Sequence, residues 1–127
     1  LGPSHPDLAG ILSDTGAICL GQDKLELAES FYKRALVINE GTLDPDHPEM
    51  IQNLDDLVGV YMKQGKFAKA EPLLKQVLVL NEGVLGENHP DVAGNLASLA
   101  KLYRATERAD EAEKLELRVA AIREVKK

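Results

Sequence analysis

Apolar residues follow the spacing of an α-helix along most of the chain. The clearest stretch has them three and four positions apart, at Leu54, Leu57, Val58 and Tyr61. This spacing predicts a helix with one buried face. A short polar break follows at Gln64-Gly65, and a second pattern of the same kind begins at Ala70. The same order occurs three times, which predicts first helices over residues 5–20, 47–62 and 89–104 and second helices over residues 25–41, 67–83 and 109–125.

The three helix pairs are copies of one 42-residue unit. The tripeptides that open the first helices recur at that interval, as His5-Pro6-Asp7, His47-Pro48-Glu49 and His89-Pro90-Asp91. Other positions keep the register, with leucine at 12, 54 and 96 and alanine at 28, 70 and 112. A fixed period of this length indicates stacked repeats that bury a continuous core. We therefore predict one domain over residues 1–127, made of the repeats 1–42, 43–84 and 85–127.

Each repeat opens with a signal for the start of a helix. Ser4, Asp46 and Asn88 stand before the three first helices, and their side chains are of the type that caps exposed backbone N–H groups. An acidic residue follows three positions later in each repeat, as a capping box requires. Proline falls in the first turn, where a helix tolerates it. We expect Ser4, Asp46 and Asn88 to be the capping residues.

The repeat pattern resembles that of a known family. Its elements are Leu-Gly-x-x-His-Pro-Asp, Leu-x-x-Leu-x-x-x-Tyr, Gly-Lys-Phe, Ala-Glu and a closing Asn-Glu. Together they resemble the 42-residue variety of the tetratricopeptide repeat, found in kinesin light chains, nephrocystin-3 and many bacterial repeat proteins. The resemblance covers the whole chain and is best in residues 43–84. It implies an all-α fold, a right-handed α-solenoid of three helix-turn-helix repeats with six antiparallel helices, and a protein-protein interaction scaffold as the function.

The first and third repeats depart from the pattern in different ways. The third has Glu116 where the second has Leu74, and a charge at that position is typical of a polar cap at the end of a stack. The first begins on a repeat boundary with no polar cap before it, which favours a piece of a longer array. Apolar surface exposed there would favour self-association, so a homo-oligomer is a second hypothesis. A regulatory array within a larger protein is a third hypothesis.

Composition and charge exclude several classes of partner. Fifteen Lys and Arg against 21 Asp and Glu give a net charge of −6, and no basic run is present to neutralise a row of phosphates. No apolar segment approaches the roughly 20 residues of a membrane span. We therefore expect neither nucleic acid nor a membrane as partner. The single cysteine, Cys19, cannot form an internal disulfide, which favours a reducing compartment such as the cytoplasm.

The side chains that could take part in catalysis or bind a metal do not form a site in this sequence pattern. The three histidines each begin a different helix, so one metal ion cannot reach them all. Cys19 stands where the other repeats have tyrosine, which indicates a core residue. The carboxylate pairs Asp55-Asp56 and Glu26/Glu29 fit a solvated helix face better than an acid-base pair. No phosphate-binding loop or nucleophile motif occurs, so we predict no enzyme activity and no cofactor.

The resemblance implies a concave groove lined by the first helices of successive repeats, which receives an extended peptide or a partner helix. One face of each first helix, away from the apolar stripe, supplies the predicted lining. Its members are Ser13 and Leu20 in the first repeat, Gln52, Asp55, Gly59, Met62 and Lys63 in the second, and Ala97, Lys101 and Arg104 in the third.

The residue types along this face predict the chemistry of the partner. Small residues at Gly10, Ala17, Gly59 and Gly94 leave room for a backbone or a bulky side chain. The cations Lys63, Lys101 and Arg104 favour acidic side chains or a free carboxylate. An alternative is that Asp55 and Lys101 pair across neighbouring helices and the other cations are merely solvated. The paired asparagines that the family uses to hold a peptide backbone are absent from the equivalent positions.

Overall fold

The computed structural model describes residues 6–125 of the chain. These residues form six α-helices and no strand. The helices are α1 (Pro6–Gly21), α2 (Leu25–Glu40), α3 (Pro48–Gln64), α4 (Phe67–Leu85), α5 (Pro90–Ala105) and α6 (Ala109–Val125). The predicted all-α helical repeat fold is confirmed, and every helix lies within two residues of its predicted bounds.

The chain divides into two compact units, Leu1–Lys66 and Phe67–Lys127. The first unit contains α1, α2 and α3, and the second contains α4, α5 and α6. The description as a single domain with three repeats of 42 residues stays a prediction.

The core of the first unit is built from small and aliphatic side chains. Ala9, Leu12, Ala35 and Ile38 form a buried cluster, with Leu8 and Phe31 packed against it. Tyr32 is the largest fully buried side chain, with 2% of its surface exposed. Its ring lies so close to Gly16 that a Cβ atom there would meet the ring at 2.8 Å. Cys19 is a free, buried thiol, which confirms the prediction of a core residue.

The second unit has a cluster of the same kind between α5 and α6. It consists of Val92, Ala93, Leu96, Val119 and Ile122, and Leu78 of α4 packs against it. All of these side chains are aliphatic. Packing of this apolar face, rather than helix propensity, holds the short helices in place.

The capping residues differ from those predicted. His47 caps α3, because its Nδ1 atom accepts a hydrogen bond from the backbone N–H of Glu49 at 3.1 Å. His89 caps α5 in the same way, with 3.0 Å to the N–H of Asp91. The prediction of Asp46 and Asn88 was wrong by one position, and Ser4 lies outside the described residues. Proline at the first helical position has no N–H, so the cap reaches the next one.

The turns inside the repeats need a left-handed backbone. Gly65, which ends α3, has a φ of 72°, a conformation that glycine adopts without steric cost. Asp23 and Glu107 stand at the equivalent positions of the other repeats, with φ of 61° and 62°. Non-glycine side chains are strained in this region. The first and third repeats therefore hold less favourable turns than the second.

Candidate binding surfaces

The first unit has an open cleft between α1 and α3, above the end of α2. Its volume is about 190 Å³. The lining residues are Ala9, Gly10, Ser13, Asp14, Asn39, Glu49, Gln52, Asn53 and Asp56. Three of these side chains are carboxylates and none is basic, so the cleft favours hydrogen-bond donors and positive charge.

Buried amide groups form the floor of this cleft. The Asn39 side chain donates a hydrogen bond from Nδ2 to Oδ1 of Asn53 at 2.5 Å, and Asn53 donates from Nδ2 to Oγ of Ser13 at 3.1 Å. Each of the two asparagines has 3% of its surface exposed. These contacts tie α3 to both α1 and α2.

The second unit repeats this contact, with Asn81 of α4 donating to Asn95 of α5 at 2.7 Å. The residues involved were missing from the sequence-based prediction of functional positions. Their signal was present, since both asparagines recur at the repeat interval. The positions at which the family has its paired asparagines hold other residues in this chain. The asparagines described here lie elsewhere and join neighbouring helices.

Asp56 lies at the edge of the cleft and is not a fully solvated group. Burial raises the pKa of its carboxyl, and the neighbouring Asp55 adds to this effect, while a hydrogen bond from Gln52 opposes it. The Gln52 side chain donates from Nε2 to Asp56 Oδ1 at 2.8 Å. The prediction of a solvated face is therefore wrong for Asp56. Its carboxylate is a hydrogen-bond acceptor that would gain from a basic or amide donor in the cleft.

The predicted groove residues of the first unit occupy two settings. Ser13 and Gln52 line the cleft. Asp55, Gly59 and Lys63 lie exposed on α3, while Leu20 and Met62 are half-buried, on α1 and α3 respectively.

Three glycines on the predicted groove face have no packing role. They lie inside helices, Gly10 on α1, Gly59 on α3 and Gly94 on α5. A Cβ atom built on any of them meets nothing within 4 Å. Glycine inside a helix costs about 1 kcal/mol relative to alanine, and the fold does not need it at these positions. The open space above each glycine is available to a partner.

The second unit has a larger cavity of about 630 Å³ between α5 and α6. Its lining consists of Ala97, Ala100, Lys101, Arg104, Glu116, Val119, Ala120 and Arg123. The structure thus brings together the three predicted site residues of the third repeat, Ala97, Lys101 and Arg104.

Arg104 is not an unpaired cation. Its guanidinium donates two hydrogen bonds to Glu116, from Nε at 2.6 Å and from Nη2 at 2.5 Å. This contact raises the pKa of Arg104 and lowers that of Glu116. Glu116 therefore neutralises Arg104, and the positive charge of the cavity is carried by Lys101 and Arg123. Lys63, the remaining predicted cation, belongs to the first unit, so a common binding role of Lys63, Lys101 and Arg104 stays a prediction.

One residue of the acidic pair Glu26/Glu29 has a structural role. Glu29 contacts Lys33 at 2.8 Å and Lys66 at 3.6 Å, and its side chain is 14% exposed. The hydrogen bond from Lys33 lowers the pKa of Glu29 most, against the opposing effect of burial. The prediction of a solvated face is wrong for Glu29, because Glu29 joins the start of α2 to the turn that follows α3. Glu26, the other member of the pair, is exposed.

The second unit contains the equivalent ion pairs. Glu71 accepts from Arg108 at 2.5 Å and from Lys75 at 2.9 Å, and the Arg108 guanidinium lies 4.1 Å from the centre of the Tyr103 ring. The hydrogen bond from Arg108 is the main cause of the lowered pKa of Glu71. In both units a glutamate at the same repeat position thus forms an ion pair with a basic residue of the following repeat.

Within residues 6–125 the structure contains no cluster of three or more metal-ligating side chains. No helix in that part of the chain is long and apolar enough to cross a membrane.

Solved structures of repeat proteins are similar to this chain. A Podosopora anserina protein described as a kinesin light chain with nearly identical TPR-like repeats is 25% identical, with a TM-score of 0.80, over 96% of this chain and 57% of that one. BtubC (BKLC) from P. vanneervenii is 26% identical, with a TM-score of 0.88, over 94% of this chain and 48% of that one. This chain thus spans about half the length of both proteins.

The TPR domain of Arabidopsis FLU has the same fold at 20% identity, with a TM-score of 0.80, over 94% of this chain and 97% of that domain. No curated protein sequence matches the chain. Two family models described as tetratricopeptide repeat match it, over residues 8–49 and residues 49–124. The chain belongs to the tetratricopeptide repeat family.

Proposed function

We propose that the chain is a protein-interaction module that binds a peptide or a helix of a partner protein. The binding surfaces are the exposed faces of α1 and α3 in the first unit and of α5 in the second. Family membership supports this function, and no enzyme activity is proposed. The observation that carries the proposal is the set of helical glycines with open space above them, Gly10, Gly59 and Gly94.

The glycines support binding because a stable helix alone would not favour them. Alanine at each position would stabilise the helix without a steric clash. Glycine instead lets the backbone of a partner approach closely, as it does at other sites of close contact. The polar side chains beside these glycines, such as Gln52 and Ser13, supply hydrogen bonds that orient the partner.

The charges of the two surfaces differ, and so does the chemistry that each one favours. The cleft of the first unit, with Asp14, Glu49 and Asp56, favours a basic or amide side chain. In the second unit Lys101 is exposed on α5 and favours a carboxylate. We propose that the first unit binds basic or amide side chains and that α5 of the second unit binds acidic ones.

Selection from a random peptide library tests the proposal. Peptides that bind the wild-type chain are titrated against Gly59→Leu, whose side chain fills the open space on α3. A loss of affinity of at least about tenfold is expected, which corresponds to about 1.4 kcal/mol of binding free energy. Gly83→Leu is the matched control, since Gly83 is also helical and open but lies outside the predicted groove. Equal losses in both variants, or no loss in either, would contradict the proposal.

A second pair of variants tests the preference for acidic residues at α5. Lys101→Glu is expected to weaken the selected peptides and to shift a repeated selection away from acidic residues. Lys114→Glu makes the same charge change at an exposed position of α6 and should leave binding unchanged. Arg104→Glu is unsuitable because it would place a second carboxylate against Glu116. Unchanged binding to Lys101→Glu would rule out the acidic preference.

Self-association is a second candidate function, favoured by one observation. Ile11 and Ile18 of α1 are 52% and 61% exposed. The equivalent residues of α3, Asn53 and Val60, are 3% and 0% exposed. Apolar side chains in such a row favour a protein contact. Sedimentation at several concentrations decides the point, since a monomer throughout the range would exclude this function.

A further inference from the structure

The cavity between α5 and α6 is at the position where, in the first unit, α3 packs against the equivalent pair of helices, α1 and α2. In the first unit α3 places the amide of Asn53 against Ser13 of α1 and Asn39 of α2. The residues two repeats further along the chain are Ala97 of α5 and Arg123 of α6, and both line the cavity. The cavity is therefore the counterpart of the groove that α3 fills.

The exposure of equivalent residues supports this correspondence. Asn39 and Tyr32 are 3% and 2% exposed in the first unit. Their counterparts in the second unit are Arg123, which is exposed, and Glu116, whose side chain is 43% exposed. Alanine and valine form the apolar part of the lining, at Ala97, Ala100, Val119 and Ala120. Small apolar residues of this kind let a helix approach closely.

The cavity carries more positive charge than the equivalent groove of the first unit. Arg123 replaces an asparagine, and Lys101 replaces Ala17. Among the described residues neither cation forms an ion pair, whereas Arg104 is neutralised by Glu116. An arginine only donates hydrogen bonds, and a carboxylate matches its geometry better than an amide does.

We propose that this cavity is a docking slot for an amphipathic helix of a partner protein. The helix presents small apolar side chains to the alanine and valine floor. It carries an aspartate or glutamate where α3 carries Asn53, so that the carboxylate meets Arg123. This proposal rests on the proposed function at α5, whose Ala97 and Lys101 belong to the predicted groove, and extends it to α6, whose residues lie outside that groove.

A second copy of this chain is a poor occupant by the same reasoning. The residue of α1 equivalent to Asn53 is Ile11. An isoleucine over Arg123 would bury the guanidinium without a hydrogen-bond partner, which is unfavourable. The charge of the slot thus selects a carboxylate-bearing helix over α1.

Synthetic peptides derived from α3 test the slot, since α3 fills its counterpart. The probe is a labelled peptide of residues 46–65 with Asn53→Asp, and the control is the same peptide without the substitution. In fluorescence anisotropy titrations the Asn53→Asp substitution is expected to raise the affinity of the peptide about tenfold, because it supplies a charged hydrogen-bond acceptor. The substitution Arg123→Asn in the full chain should reduce this ratio to about one.

A blocking variant and a distant variant complete the test. Ala120 is exposed, so Ala120→Phe fills the slot without disturbing the core and should abolish binding of both peptides. Gly59→Leu should leave both titrations unchanged, which separates this slot from the α3 part of the groove of the proposed function. Equal affinity of the two peptides for the wild-type chain, or a preference that survives Arg123→Asn, would overturn the proposal. Tighter binding of a peptide of residues 5–22 would overturn it too, by assigning the slot to a second copy.

Discussion

Leucine substitutions of Asn39 and Asn53, made singly and together, measure the buried amide contact between α2 and α3. Each single substitution leaves one buried amide atom without its hydrogen bond, either Nδ2 of Asn39 or Oδ1 of Asn53, because both residues are only 3% exposed. Nδ2 of Asn53 keeps its bond to Ser13 in the Asn39 variant. An unsatisfied buried polar group costs about 1–3 kcal/mol. We expect each single variant to lose about 2 kcal/mol of unfolding free energy, out of a total of about 5–15 kcal/mol.

The double variant is expected to be more stable than the sum of the single variants predicts. Replacing both partners with apolar groups of similar size is nearly neutral, so we expect a loss of about 1 kcal/mol. The resulting coupling energy is about 3 kcal/mol, well above the value for independent sites. Urea denaturation followed by circular dichroism gives the four free energies. Gln76→Leu, at an exposed amide of α4, should change stability by less than about 0.5 kcal/mol.

A loss in the double variant equal to the sum of the losses in the two single variants would refute this reasoning. They would mean that Asn39 and Asn53 contribute independently, and that the contact does not tie α3 to α2.

Three further substitutions test other parts of the structure. Gly16→Ala should destabilise the chain by about 1–3 kcal/mol in a urea titration, because the new methyl group overlaps the ring of buried Tyr32. Wild-type stability would show that the ring can move aside. Glu107→Gly should stabilise it by about 1 kcal/mol, since φ is 62° there, and a lower melting temperature would count against backbone strain at this turn. Asp56→Asn should stabilise the chain at pH 7, because burial raises the pKa of that carboxyl in the folded state and ionisation therefore opposes folding. The gain should vanish as the pH falls below the ordinary range of carboxyl groups and Asp56 becomes protonated in both states; a gain that is the same at low pH would contradict this cause.

The helices and the family could be predicted from the sequence because both depend on periodic apolar positions. Stripes such as Leu54, Leu57 and Val58 fix a helix and its buried face without any knowledge of neighbours. The repeat interval then adds the helix order. Local patterns of this kind also predicted that Cys19 is buried.

Contacts between helices were harder to predict, because they depend on three-dimensional neighbours. The role of His47 as a cap follows from the position of Pro48, whose missing N–H moves the cap by one residue. The ion pair between Arg104 and Glu116 joins two helices and cancels a charge that the sequence counts as positive. Residues such as Asn39 and Asn53 recur at the repeat interval, but only the structure shows that they touch each other.

Backbone chemical shifts of the chain, recorded with and without a peptide selected from the random library, test the proposed function most directly. We expect shift changes on the faces of α1, α3 and α5 that carry Gly10, Gly59 and Gly94. Shift changes confined to α2 and α4, with those three glycines unaffected, would contradict it.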